Sequence, residues 1–90
     1  MPHRWSKEDD IVAFYLYRFS PESLIMTIRE ISDLLGMSEE SLKMRISNFK
    51  AIDGADGLQH YSKQSKTIFN EYKNVSQEKH RNVVNKILEK

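Results

Sequence analysis

Lys43, Met44, Arg45, Ser47, Asn48 and Lys50 fall in one eight-residue stretch that can do chemistry by contact rather than by catalysis. Wound at 100° per residue, the face opposite Leu42, Ile46 and Phe49 presents Glu40, Ser41, Met44, Ser47 and Asn48, with Lys43 and Lys50 along one edge and Arg45 along the other. Asn and Arg side chains read base edges in a DNA major groove, and flanking cations meet phosphates. A plain solvated helix face would carry the same residue types. Glu39 and Glu40, at the head of the strip, favour that second reading, because a carboxylate repels a phosphate backbone. A second group, Ser62, Lys63, Gln64 and Lys66, stands where another helix begins, and backbone donors at a helix start flanked by lysines form a phosphate site.

Other reactive side chains lack partners. His3, His60 and His80 have no metal-ligand spacing among themselves or with carboxylates. Asp53-Gly54-Ala55-Asp56-Gly57 has the flavour of a calcium loop, yet its twelfth position is Gln64, which cannot supply a bidentate carboxylate. Asp9 and Asp10 are adjacent and diverge on a helix, so they make a poor acid/base pair. No Ser, His and Asp stand in a nucleophilic arrangement. The expectation is a protein that is not an enzyme and needs no cofactor and no metal.

The elements that position these residues are read from apolar spacing and caps. Ser6 followed by acidic residues starts a helix over 7–19, on which Val12, Tyr15, Leu16 and Phe19 make one stripe and Ile11 and Phe14 a second side. A helix apolar on two sides is expected to be central. Ser20, Pro21 and Glu22 break or restart the chain. Thr27 and Glu30 form a capping box for a short helix whose buried face is Ile28, Ile31, Leu34 and Leu35, and Gly36 ends it. Ser38 caps the next helix, which runs to about Lys50 with Leu42, Ile46 and Phe49 inward; Met37 points into the junction. After the 53–57 loop, Leu58, Tyr61, Ser65, Ile68, Phe69 and Tyr72 trace a helix over about 61–73. Ser76 caps a last one carrying Val83, Val84, Ile87 and Leu88, an edge that either covers the core through Ile11 and Phe14 or pairs with a second copy as a homodimer.

Ninety residues suffice for one domain. The expected class is all-α, one domain over 1–90, with a compact tri-helical helix-turn-helix core over 7–50 and one or two additional C-terminal helices over 58–90. Absence of cysteine, of a roughly 18-residue apolar run and of an N-terminal apolar stretch points to a cytoplasmic protein with no membrane contact. Charge is nearly balanced at +1, with residues 1–36 at −2 and 37–90 at +3. That balance is wrong for a polyanion sponge and leaves room for a basic face on the second half.

Two resemblances bear on the middle segment. Arg4-Trp5-Ser6-Lys7-Glu8-Asp9-Asp10, followed by Ile31 through Phe49, resembles the opening and helical frame of Myb/SANT-like domains, which use their third helix on DNA; Phe49 stands near where those domains carry a further tryptophan. Over about residues 5–73 the closer resemblance is to the N-terminal helical domain that precedes the nuclease module in HNH restriction-type endonucleases. It is carried by Leu34-Leu35-Gly36-Met37-Ser38, by Ser41-Leu42-Lys43-Met44-Arg45-Ile46-Ser47-Asn48-Phe49 and by Gly57-Leu58-Gln59-His60-Tyr61-Ser62-Lys63-Gln64. What the resemblance implies is target binding without cleavage, with Lys43, Arg45, Ser47, Asn48 and Lys50 on the reading helix and Ser62, Lys63, Gln64 and Lys66 at the next helix start. The function expected is sequence-preferring binding of double-stranded DNA, by a small transcriptional regulator or a detached targeting domain of a restriction-like system. The alternative is a phage- or mobile-element-encoded inhibitor or interaction module that uses the same fold on a protein partner.

Overall fold

The structure, a computed structural model, describes residues 4–54 and 62–89. Helix α1 spans Lys7–Phe19, α2 Ile28–Leu35, α3 Glu39–Gly54, α4 Lys63–Tyr72 and α5 Gln77–Leu88, with a 3₁₀ turn at Pro21–Leu24. No strand occurs among the described residues, and the chain is all-α. None of these helices is long and apolar enough to cross a membrane.

Each helix start is written locally. Ser6 and Asp9 exchange hydrogen bonds in a capping box at α1, Thr27 and Glu30 do the same at α2, and Ser76 accepts from the Lys79 amide at α5. Gly36 closes α2 at φ 76°, a conformation that a glycine adopts without strain.

Helix α1 is the beam on which the others rest. Every residue from Asp9 to Leu16 is buried, and the helix packs against α3, α4 and α5, while α2 lies on α3. Burial on all sides follows from its two apolar stripes. Phe14 is the meeting point: its ring lies 4.8 Å from Phe49 on α3, 5.4 Å from Phe69 on α4 and 5.8 Å from His80 on α5. These contacts are aromatic, offset or tilted, the arrangements that ring quadrupoles prefer.

Two sequence expectations change. Leu34 is 53% exposed, because the inward face of α2 centres on Ile31, Leu35 and the buried Ser32, which puts Leu34 on the flank. Helix α3 does not stop near Lys50 but continues to Gly54, since Ile52 lies three residues beyond Phe49 and is buried. The edge Val83, Val84, Ile87 and Leu88 covers the core, as one of its two readings expects: Val84 is fully buried and the other three, partly buried, pack against it. The remainder of the 53–57 loop, and Leu58, Gln59, His60 and Tyr61, lie outside the described residues, as do His3 and Lys90.

His80 closes α5 onto α1. Its Nε2 donates to the Ile11 carbonyl at 2.9 Å, which leaves Nδ1 to accept from the Arg18 guanidinium at 3.1 Å. Burial, with Arg18 beside it, pushes the imidazole down from 6.5 to about 4, against the opposing pull of the Ile11 carbonyl. The unfolded chain takes up the proton near pH 6.5 and the folded chain only near 4. Stability from this residue is therefore complete above pH 6.5 and is lost as pH falls toward 4, by up to about 1.4 kcal/mol per pH unit. Urea titrations across that window should show the loss in the native chain, and a His80→Gln chain should show a flatter profile; parallel profiles would refute the assignment.

The α1–α2 connection carries a second testable feature. Ile25 sits at φ 57° and is 92% exposed. A β-branched residue in the left-handed region is strained by roughly 1–2 kcal/mol, and here no packing offsets the strain. Ile25→Asn should raise stability by about 1 kcal/mol in the same titration. An unchanged or lowered midpoint would count against the strain.

Candidate nucleic-acid interface

The α2–turn–α3 unit is joined through Gly36, Met37 and Ser38. The Gly36 amide donates to the Asp33 carbonyl at 3.1 Å and the Met37 amide to Ser32 at 3.0 Å, so the turn satisfies the last carbonyls of α2. Met37 is buried and fills the junction, as its apolar character requires. Ser38 Oγ accepts from the Ser41 amide at 3.1 Å and starts α3.

The inner flank of α3 is fixed by a buried carboxylate. Asp10 on α1 is fully buried, and Arg45 grips it through Nε at 2.6 Å and Nη2 at 2.8 Å. Gln64 Nε2 adds a third bond at 2.6 Å and Ser65 Oγ a fourth at 3.0 Å, so each Asp10 oxygen accepts two donors. Gln64 also donates to the Trp5 and Ser6 carbonyls at 3.2 and 3.1 Å. The Arg45 guanidinium lies 4.5 Å from the Trp5 ring, and Nη2 reaches Ser62 Oγ at 3.3 Å. Among the described residues no buried side-chain polar atom lacks a partner. The far end of α3 is tied as well, by the Tyr17 hydroxyl donating to Asp53 at 2.6 Å. The Asp53 carboxylate, through that bond, pushes the Tyr17 phenol up to about 12.

This geometry sorts the sequence candidates. Lys43, Met44, Ser47 and Lys50 are exposed on the outer face of α3, with Met44 at 72%, and Asn48 is half-buried beside them. Arg45 does not belong with them: its side chain is only 13% exposed, and its Nε and Nη2 are engaged by Asp10 and Ser62. On the helical wheel Arg45 falls about 60° from Leu42, on the core side of the strip, which is why it turns inward. The expected phosphate site at the start of α4 is also corrected. Ser62 Oγ already accepts from the Gln64 and Ser65 amides, so those helix-start donors are spent. Lys63 is exposed, and the Lys66 ammonium sits 5.4 Å from the Phe69 ring. Lys43 pairs with Glu39 at 3.6 Å across one helical turn, both ends in solvent. Such a pair is worth little and is readily exchanged for another anion.

Trp5, Ser41, Met44, Arg45 and Asn48 enclose a half-open recess of about 210 Å³ on the flank of α3. The recess was not legible in the sequence, because Trp5 and the residues of α3 that line it stand about 40 positions apart on elements brought together through Asp10 and Arg45. The one available signal was Asp10 itself, a charge at the head of the continuous run Ile11–Leu16, which demands a buried partner. In comparisons with known proteins, no family model, curated protein or solved structure matched this chain.

Removing one member of a buried pair strands the other, at about 3–5 kcal/mol. Asp10→Ala and Arg45→Ala should each destabilise the fold on that scale. The double variant should lose clearly less than the sum, because the two changes delete one shared interaction. Additive losses below about 1 kcal/mol each in a double-mutant cycle would show that the pair does not hold α3.

Proposed function

We propose that this protein binds double-stranded DNA, with α3 as the helix that enters the major groove. The observation that carries the reading is the split of α3 into two faces. Its inner face is locked to α1 and α4 through Leu42, Phe49 and the Arg45–Asp10 bridge, and its outer face offers Lys43, Met44, Ser47 and Lys50 to solvent with Asn48 at the edge. A reader helix has to be held rigidly from behind while presenting polar and cationic side chains in front. In this reading Met44, Ser47 and Asn48 face base edges, and Lys43 and Lys50 meet phosphates. Lys63 extends the cationic surface from α4. Arg45 orients the helix and does not read.

A target-binding role of this kind agrees with the resemblance to the helical domains that precede HNH nuclease modules. It suits a small regulator or a detached targeting domain. One feature favours a protein partner instead: Glu39 and Glu40 stand at the head of the exposed face. Under that reading, pull-down of a protein persists after nuclease treatment and is lost when the two acids are reversed in charge.

A salt titration with duplex DNA separates the two. Binding should be detectable near 50 mM salt and fall linearly on a logarithmic plot. Lys43→Ala with Lys50→Ala should weaken it and flatten the slope by about 1.8, the value for two phosphate contacts. No duplex binding at low salt, or a slope unmoved by the double substitution, would refute the assignment.

A further inference from the structure

We infer that the recess beside α3 receives the 5-methyl edge of a major-groove pyrimidine, so that the protein reads the presence of that methyl group. The inference deepens the duplex-binding proposal above and rests on it.

The recess is partly apolar, with Met44 and the Trp5 indole among its walls. Among the described residues that line it the one ionic group is Arg45, whose charge is paired with the buried Asp10 at 2.6 and 2.8 Å. A neutral, partly apolar hollow on a groove-facing helix suits the one apolar feature that the major groove displays, the methyl group on pyrimidine C5. At about 210 Å³ and half open, it admits the C5 edge of the ring together with the methyl group. Its polar lining, Ser41 and Asn48, completes the match. The Asn48 amide can donate to the O4 of thymine or accept from the N4 of 5-methylcytosine, and a serine hydroxyl is similarly indifferent. Thymine and 5-methylcytosine therefore present the same recognisable chemistry here.

Met44 is an apolar side chain that the core does not use. It is 72% exposed, on the side of α3 away from Leu42 and Phe49, between the polar Lys43 and Ser47 of the outer face. A solvated position filled with a large flexible thioether is explained by a contact that forms on binding, since methionine adapts its shape to an apolar group.

The test begins with selection from a pool of random-sequence duplexes. The preferred duplex is then resynthesised with deoxyuridine for each thymidine in turn, and with 5-methylcytosine for each cytosine in turn. At one position, loss of the thymine methyl should weaken binding about three- to sixfold, or gain of the cytosine methyl should strengthen it by the same factor, as burial of one methyl group predicts. The arm that responds identifies the base. Met44→Ala, a surface change that leaves the fold intact, should abolish the discrimination while the salt slope stays as in the parent. Duplex binding with no methyl dependence at any position, or with a dependence that survives Met44→Ala, overturns the inference and leaves DNA binding standing. Duplex binding with no preferred sequence does the same. Absence of any duplex binding near 50 mM salt removes both proposals.

Discussion

The Asp10–Arg45 bridge is the constraint on which the arrangement of α3 depends. A fully buried carboxylate is costly to desolvate, and only a complete set of donors makes it tolerable. Asp10 collects them from two other elements: Arg45 from α3, Gln64 and Ser65 from α4. The bridge therefore specifies the roll of α3 about its own axis as well as its position. Apolar contacts at Leu42 and Phe49 would accept a small rotation, whereas a bidentate guanidinium–carboxylate pair accepts very little. With Arg45 turned inward, Lys43, Met44, Ser47 and Lys50 have no choice but to face out.

A second polar clamp works at the other end of α1. Arg18 donates to the Tyr72 carbonyl at 2.8 Å and the Val75 carbonyl at 2.7 Å while bonding His80 at 3.1 Å. Those two carbonyls belong to the end of α4 and the turn into α5, where helix geometry leaves acceptors without partners. The beam α1 is thus pinned near its start by a buried acid and near its end by the half-buried Arg18, with the Phe14 ring cluster between them. The clamps act in different directions. Asp10 draws side chains of α3 and α4 inward, and Arg18 gathers backbone from the α4–α5 junction. Neither clamp depends on the outer face of α3, so that face is free to vary in residue type without loss of the fold.

What could be read from the chain beforehand was local. The serine start with acids at Ser6, the capping box at Thr27, the glycine stop at Gly36 and the serine caps all act over three or four residues, and the helix limits at 7–19 and 28–35 follow from them. The centrality of α1 was legible from its two apolar sides. What was hidden spans distance. Asp10 and Arg45 are 35 positions apart and Asp10 and Gln64 are 54, and nothing in the spacing of either pair announces contact. Arg45 was assigned to the reading strip because an arginine next to Met44 and Ser47 has the right chemistry for a base edge. A helical wheel already puts it on the core side, but only a partner acid on another element decides between burial and exposure. Leu34 illustrates the opposite error, a residue of buried type left outside because the inward face of α2 centres on Ile31, Ser32 and Leu35 and leaves it on the flank.

The inward turn of Arg45 also changes what kind of contact the outer face of α3 can make. With Arg45 neutralised, the outer face carries Lys43 and Lys50 against Glu39 and Glu40, and Lys43 is shared with Glu39. A face so balanced cannot rely on attraction to phosphate alone, whose contribution scales with the number of cations engaged. If the proposed duplex binding holds, discrimination comes from short-range fit: the Asn48 amide, the Ser47 hydroxyl and the hollow between Trp5 and Met44. Such contacts are weak singly but strongly selective, because a mismatched base leaves a buried polar group or an empty hollow behind. On the duplex-binding proposal, the bridge that removes a cation from the surface shifts the helix from holding any polyanion toward distinguishing one groove surface from another.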